Sequence, residues 1–169
     1  MIRRSFALGA VIVTAILLQT TIFSQIKLLG VKPELLYGVT VLLAVLEGPR
    51  EGMIFGFAAG ISLDFFMNQP KGVTALTLTL LGYTVGLAQQ YIVSPSPLLP
   101  TMLAAFGTFA AMCFYQLVRF LLGGLDLQTV AFFRVALLTG VYGGLLTPLM
   151  YPLLRRVFEG SRPRRVVRF

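Results

Sequence analysis

Six long apolar runs fill this chain of 169 residues, each cut from the next by a short cluster of charge, proline or glycine. At 1.5 Å per residue, about 20 helical residues cross the hydrocarbon core of a bilayer. The first run spans about 5–26 and stops at Lys27–Pro33, where Gly30 and Pro33 punctuate the chain. The second covers about 34–46 and the third about 53–67, parted by the sequence EGPREG. The fourth, about 73–93, follows the turn sequence NQPKG and ends at SPSPLLP, whose prolines forbid a continuing helix. The fifth, about 101–122, stops at Gly123-Gly124, and the sixth occupies about 129–154. The second and third are short enough for tilted partial spans or a re-entrant hairpin, but each carries 12 or more mostly apolar residues. The pattern predicts an all-α integral membrane protein. Six transmembrane helices lie within residues 1–158, and a basic tail covers 159–169.

Composition agrees with the pattern. Hydrophobic residues make up 57% of the chain and charged residues 12%, against about 25% charged in soluble domains. Arg3-Arg4 before an apolar run mimics a signal peptide, but the run is about 20 residues long and no A-x-A-like site follows. It reads as a retained first span. The net charge of +8 is uneven, for six of the 14 cations follow Leu154: Arg155, Arg156, Arg162, Arg164, Arg165 and Arg168. With both termini inside, nine Lys and Arg lie on the inner side against three outside, or five if Arg119 and Arg134 are added. Both termini are therefore expected in the cytoplasm. Arg155, Arg156, Arg162, Arg164 and Arg165 point to anionic lipid. Nucleic acid is disfavoured because no folded basic domain accompanies the tail.

The chemical inventory is thin. There is no histidine, Cys113 stands alone, and the six acids are scattered as Glu34, Glu47, Glu51, Asp64, Asp126 and Glu159. A His-containing metal site, a Ser-His-Asp triad and an intrachain disulfide are impossible, and no paired carboxylates are evident. The expectation is a protein that is not an enzyme and needs no cofactor or metal.

Small residues recur at spacing four: Gly52, Gly56 and Gly60 in the third run, Gly82 and Gly86 in the fourth, Gly140 and Gly144 in the sixth. Residues four apart share a helix face, and small ones let helices approach closely in lipid. These stripes read first as packing within the bundle and second as a face for a partner helix. Asp64 closes the first ladder. A charge at the centre of a membrane helix costs about 2.5–3.5 kcal/mol, so something must offset it. Asp64 lies about 16 Å beyond Met53 along a helix, toward the outer third of a bilayer. Arg119 and Arg134 fall at a comparable depth. The expectation is an ion pair from Asp64 to Arg134 or Arg119 that locks helices three, five and six, so that Asp64→Ala lowers folded yield by orphaning an arginine. The alternatives are arginines that snorkel to outer headgroups and a pocket built from Asp64, Thr74, Thr77, Gln116 and Arg119. Pro148 and Pro152 should kink the last helix.

The block from Lys32 to Gly86 resembles the rod shape-determining protein MreD family. The residues that carry the resemblance are Pro33-Glu34 before the second helix, the charged loop Glu47–Gly52, the G-F-x-x-G-x-x-x-D pattern of Gly56, Phe57, Gly60 and Asp64, and the P-x-G turn of Pro70 and Gly72. The opening LLQTTIFSQI is also similar to that family. The resemblance implies a multi-pass protein of the bacterial inner membrane that acts in cell elongation. It implies MreC, RodA, the class B penicillin-binding transpeptidase PBP2 and the MreB cytoskeleton as partners. It also implies a fold similar to the substrate-binding subunits of energy-coupling factor vitamin transporters. Two functions follow as expectations. One is a non-enzymatic scaffold that binds MreC and supports peptidoglycan synthesis and rod shape. The alternative is a small-molecule-binding membrane subunit of a vitamin-type transporter, against which stands the scarcity of polar residues in the spans.

Overall fold

Every element among the described residues is an α-helix. A computed structural model of the chain describes residues 2–21, 34–66, 72–91, 99–123 and 129–159. Its helices are α1 (Ile2–Thr21), α2 (Leu35–Glu47), α3 (Pro49–Phe66), α4 (Val73–Tyr91), α5 (Leu99–Leu121) and α6 (Thr129–Glu159). The end of the first predicted run and the turn at 67–71 lie outside the described residues. Two boundaries differ from the sequence reading. α3 begins at Pro49 rather than near 53, because proline suits the first helical position, where its missing N–H is no loss. α6 runs on to Glu159 rather than stopping near 154, so Arg155 and Arg156 belong to the helix. The prolines Pro148 and Pro152 sit inside it.

The shortest bundle helix is the central one. α2 has 13 residues and is about 20 Å long. Its residues Leu35 to Ala44 are all buried. A helix that is apolar all round belongs inside a protein core or a bilayer, and here it is the core position that it takes. Here α1, α3, α4, α5 and α6 all touch it. Gly48, with φ of 95°, ends α2 in a conformation that side-chain-bearing residues avoid, and its N–H donates to Ala44 O at 2.9 Å. α3 follows at once.

Around this post the closest pair is α3 with α4, and next α5 with α6. The α3–α4 seam is backbone against backbone. A Cβ placed on Gly52 would stand 2.6 Å from Ala44 Cβ and 2.8 Å from Gly82 O. One on Gly56 would meet Leu78 C at 2.6 Å, and one on Gly60 would meet Ala75 N at 2.7 Å. From the other side, Gly82 faces Met53 N at 3.0 Å and Gly86 faces Pro49 N at 2.5 Å. The obstacles are mostly main chain, which cannot swing aside as a side chain can. The α5–α6 seam is looser: a Cβ on Gly140 would meet Ala105 O at 2.9 Å, and one on Gly144 would meet Ala105 Cβ at 3.2 Å.

The outside of the bundle is as apolar as its inside. Along α6, Leu137, Val141, Leu145, Leu149 and Leu153 recur every four residues and are 60, 53, 72, 69 and 69% exposed. Phe57 on α3 and Phe106 on α5 are exposed as well. A water-soluble monomer rarely shows so large an apolar surface. Two segments, Pro100–Leu121 and Phe133–Leu154, are long and apolar enough to cross a membrane. The hydroxyls of Thr40, Thr77, Thr139 and Thr147 are spent inside their own helices, each donating to the carbonyl four residues back at 2.6–2.8 Å. These threonines therefore sit in an apolar core with their hydrogen bonds satisfied.

Gly56→Ala should destabilise the bundle by about 3 kcal/mol, the upper end of ordinary overpacking, because α4 backbone fills the space. Gly9→Ala is the control. Nothing lies within 4 Å of a Cβ there, and the change should be neutral or slightly stabilising. Thermal unfolding of both variants in detergent checks the contrast.

Candidate functional site

The ladder meets the buried acid where α3 ends beside the start of α4. Gly52, Gly56, Gly60 and Asp64 occupy one face of α3 at helical spacing. The first three rungs bring α4 close, and the fourth makes use of that closeness. Asp64 is 4% exposed. Its Oδ2 accepts the backbone N–H of Gly72 at 2.8 Å and of Ala75 at 3.1 Å. α4 begins at Val73, so Ala75 is the third residue of its first turn. A serine or aspartate just before the helix would ordinarily cap that N–H. Gly72 occupies that place, with φ of 99° and no side chain. Asp64 supplies the missing cap from the neighbouring helix.

This arrangement answers how a carboxylate is tolerated at that point. The first turn of α4 presents unpaired N–H groups and the positive end of its helix dipole. Asp64 satisfies two of those donors, and they stabilise its charge.

The expected ion pair is not formed. Among the described residues Asp64 makes no ion pair with Arg119 or with Arg134. Arg134 is exposed, and the guanidinium of Arg119 lies over the Tyr115 ring, 5.9 Å from its centre. The lock between helices three, five and six is thus replaced by a cap between α3 and α4. The physical reason is that a helix N-terminus is already a positive group at the right place, and it needs no long side chain held in one geometry.

Arg119 nevertheless belongs to the same neighbourhood. Tyr115 shares a side-chain hydrogen bond with Thr74, in the first turn of α4, and lies within electrostatic reach of Arg119, Glu34 and Asp64. Tyr37 lies within reach of Glu34, Tyr115 and Asp64. The polar group therefore gathers residues from four helix termini or helix faces: Glu34 and Tyr37 at the start of α2, Asp64 on α3, Thr74 on α4, and Tyr115 with Arg119 on α5. Sequence reasoning missed Glu34, Tyr37 and Tyr115 as members. The available signal was the four-residue spacing of Tyr115 and Arg119, which places that pair on one face of α5.

Two polar atoms here have no hydrogen-bond partner, Asp64 Oδ1 and Arg119 Nε. A cavity of about 300 Å³ adjoins Asp64, bordered by Ile61, Phe65 and Gly72. Of the other residues expected in a pocket, Thr77 has its hydroxyl committed to Val73 O, and Gln116 is half-buried. Gly82 and Gly86 line the α3 contact, and Gly140 and Gly144 line the α5 contact. Arg156 is exposed at the far end of α6. The side chain of Arg155, and all of Arg162, Arg164 and Arg165, fall outside the described residues.

The family described as rod shape-determining protein MreD matches residues 2–157. This chain belongs to the MreD family. The match takes in α1 to α5 and nearly all of α6, and with them the ladder and its capping aspartate. No curated protein matches the chain, and no solved structure does. Membership places the chain among proteins of rod-shape determination, a structural role rather than a known catalytic one. It also agrees with the two membrane-length helices.

Asp64→Ala should cost about 1–2 kcal/mol through loss of the cap. Asp64→Asn, which keeps an acceptor oxygen, should recover most of that. Arg119→Gln should add independently to Asp64→Ala, with a coupling below about 0.5 kcal/mol. Chemical unfolding of the single and double variants in detergent measures all three quantities, and strong coupling would reinstate the ion pair.

Proposed function

We propose that this MreD-family protein is a non-enzymatic scaffold of the bacterial cell-elongation complex. It spans the inner membrane six times with both termini in the cytoplasm, binds MreC, and supports peptidoglycan synthesis together with RodA, PBP2 and the MreB cytoskeleton. The observation that carries this reading is that the rod shape-determining family covers the helical bundle almost end to end. The bundle itself is suited to such work. Glycine seams make α3 and α4 a stiff unit, while the outward faces are long apolar stripes on which other membrane helices can pack. The fold we infer is similar to that of the substrate-binding subunits of energy-coupling factor transporters.

One observation favours a second reading, a small-molecule-binding subunit of a vitamin-type transporter. Asp64 Oδ1 and Arg119 Nε are unpartnered in the same polar neighbourhood, and a cavity adjoins the former. The scaffold reading is preferred because the other oxygen of Asp64 and the Thr77 hydroxyl are already spent on backbone.

Affinity purification of the tagged chain from native membranes separates the two. Stoichiometric recovery of MreC is the expected result. Recovery of an ATP-binding-cassette energising module with a bound vitamin, and no MreC, would reverse the choice.

A further inference from the structure

An apolar cleft opens between α1, α2 and α6. Both α1 and α6 rest on α2 and barely meet each other, which leaves a cleft of about 520 Å³. Its walls include Ala10 and Thr14 of α1, Val39 of α2, and Leu146, Leu149 and Leu153 of α6. Among the described residues Thr14 is the one polar side chain along it, and its hydroxyl proton is spent on Ala10 O at 2.7 Å. The described wall offers no free donor to a polar ligand, so an apolar occupant suits it.

We propose that this cleft holds one acyl chain of an anionic phospholipid, with the lipid phosphate met by Arg156. The proposal rests on the reading of the chain as membrane-spanning. Three observations carry it. The first is size. A transmembrane helix takes up more than about 2,000 Å³, so it can insert only side chains here, whereas a single acyl chain enters whole. The second is register. Leu146, Leu149 and Leu153 lie three and four residues apart on one face of α6, and Arg156 stands three residues further on along that face. Arg156 is exposed, so it is free to meet a headgroup. The third is the other wall. α1 runs opposite to α6 in the proposed topology, which sets its first turn at the same end of the cleft as Arg156. The apolar slot therefore opens toward the cytoplasmic side, the leaflet that carries anionic lipid.

The test uses the full chain in detergent micelles with two probes, phosphatidylglycerol and phosphatidylcholine, each bearing a diazirine in one acyl chain. After illumination, adducts are mapped by peptide mass spectrometry. The expected result is phosphatidylglycerol adducts concentrated on residues 10–18 and 146–154, with a preference over phosphatidylcholine. Arg156→Gln should reduce that preference about fivefold, the effect of one basic residue near a membrane surface. Ala10→Phe should remove the adducts by filling the slot, and because Ala10 is exposed the larger side chain breaks no packed contact. Adducts spread evenly over the outer faces of α3, α4 and α5, equal labelling by both lipids, or labelling indifferent to Ala10→Phe would each overturn the proposal. MreC capture is read separately, so loss of either result leaves the other standing.

Discussion

Close approach of α3 and α4 main chains is the constraint on which the rest of this protein depends. In water, two helices are driven together by their apolar faces. In lipid that drive is absent, and contact must come from shape and from hydrogen bonds. The glycines at 52, 56, 60, 82 and 86 supply the shape by removing every side chain from the seam. Asp64 supplies the hydrogen bonds, and it reaches Gly72 and Ala75 only because Gly60 has already brought the two backbones together. The hairpin then forms one wall around α2, whose residues Leu35 to Ala44 are all buried.

The capped turn also shows how a membrane protein can keep a carboxylate without a cation beside it. α4 begins at a residue that cannot cap it, and the neighbouring helix provides the acceptor. The two deficits cancel: unpaired N–H groups at the start of α4, and a buried carboxylate without a cation beside it. Arg119 is left to stack on Tyr115 and to join a wider polar group with Glu34 and Thr74. That group sets residues of α2, α4 and α5 within electrostatic reach of the capped turn.

Much of this was legible beforehand. The six apolar runs correspond to six helices, because a run of that length without breakers has few other ways to satisfy its backbone. Gly52, Gly56 and Gly60 announced a contact face by spacing alone, and Asp64 announced itself as costly by position alone. The errors have specific physical causes. Pro49 looked like a breaker and proved to be a helix start, since proline forbids only what comes before it. Arg155 and Arg156 lay beyond the expected end of the sixth run and proved helical. Arg119 and Arg134 looked like partners because depth along a helix was the one coordinate available.

By itself, then, the sequence determined the membrane character, the number of helices, the close-packing faces and the MreD kinship, for these are properties of local composition and spacing. What only the tertiary structure decided is which faces meet and what offsets the charge of Asp64. Spacing along one helix says which residues share a face, but not which neighbour that face will find. The answer lay in a donor that no side-chain inventory contains, the bare backbone at the start of α4.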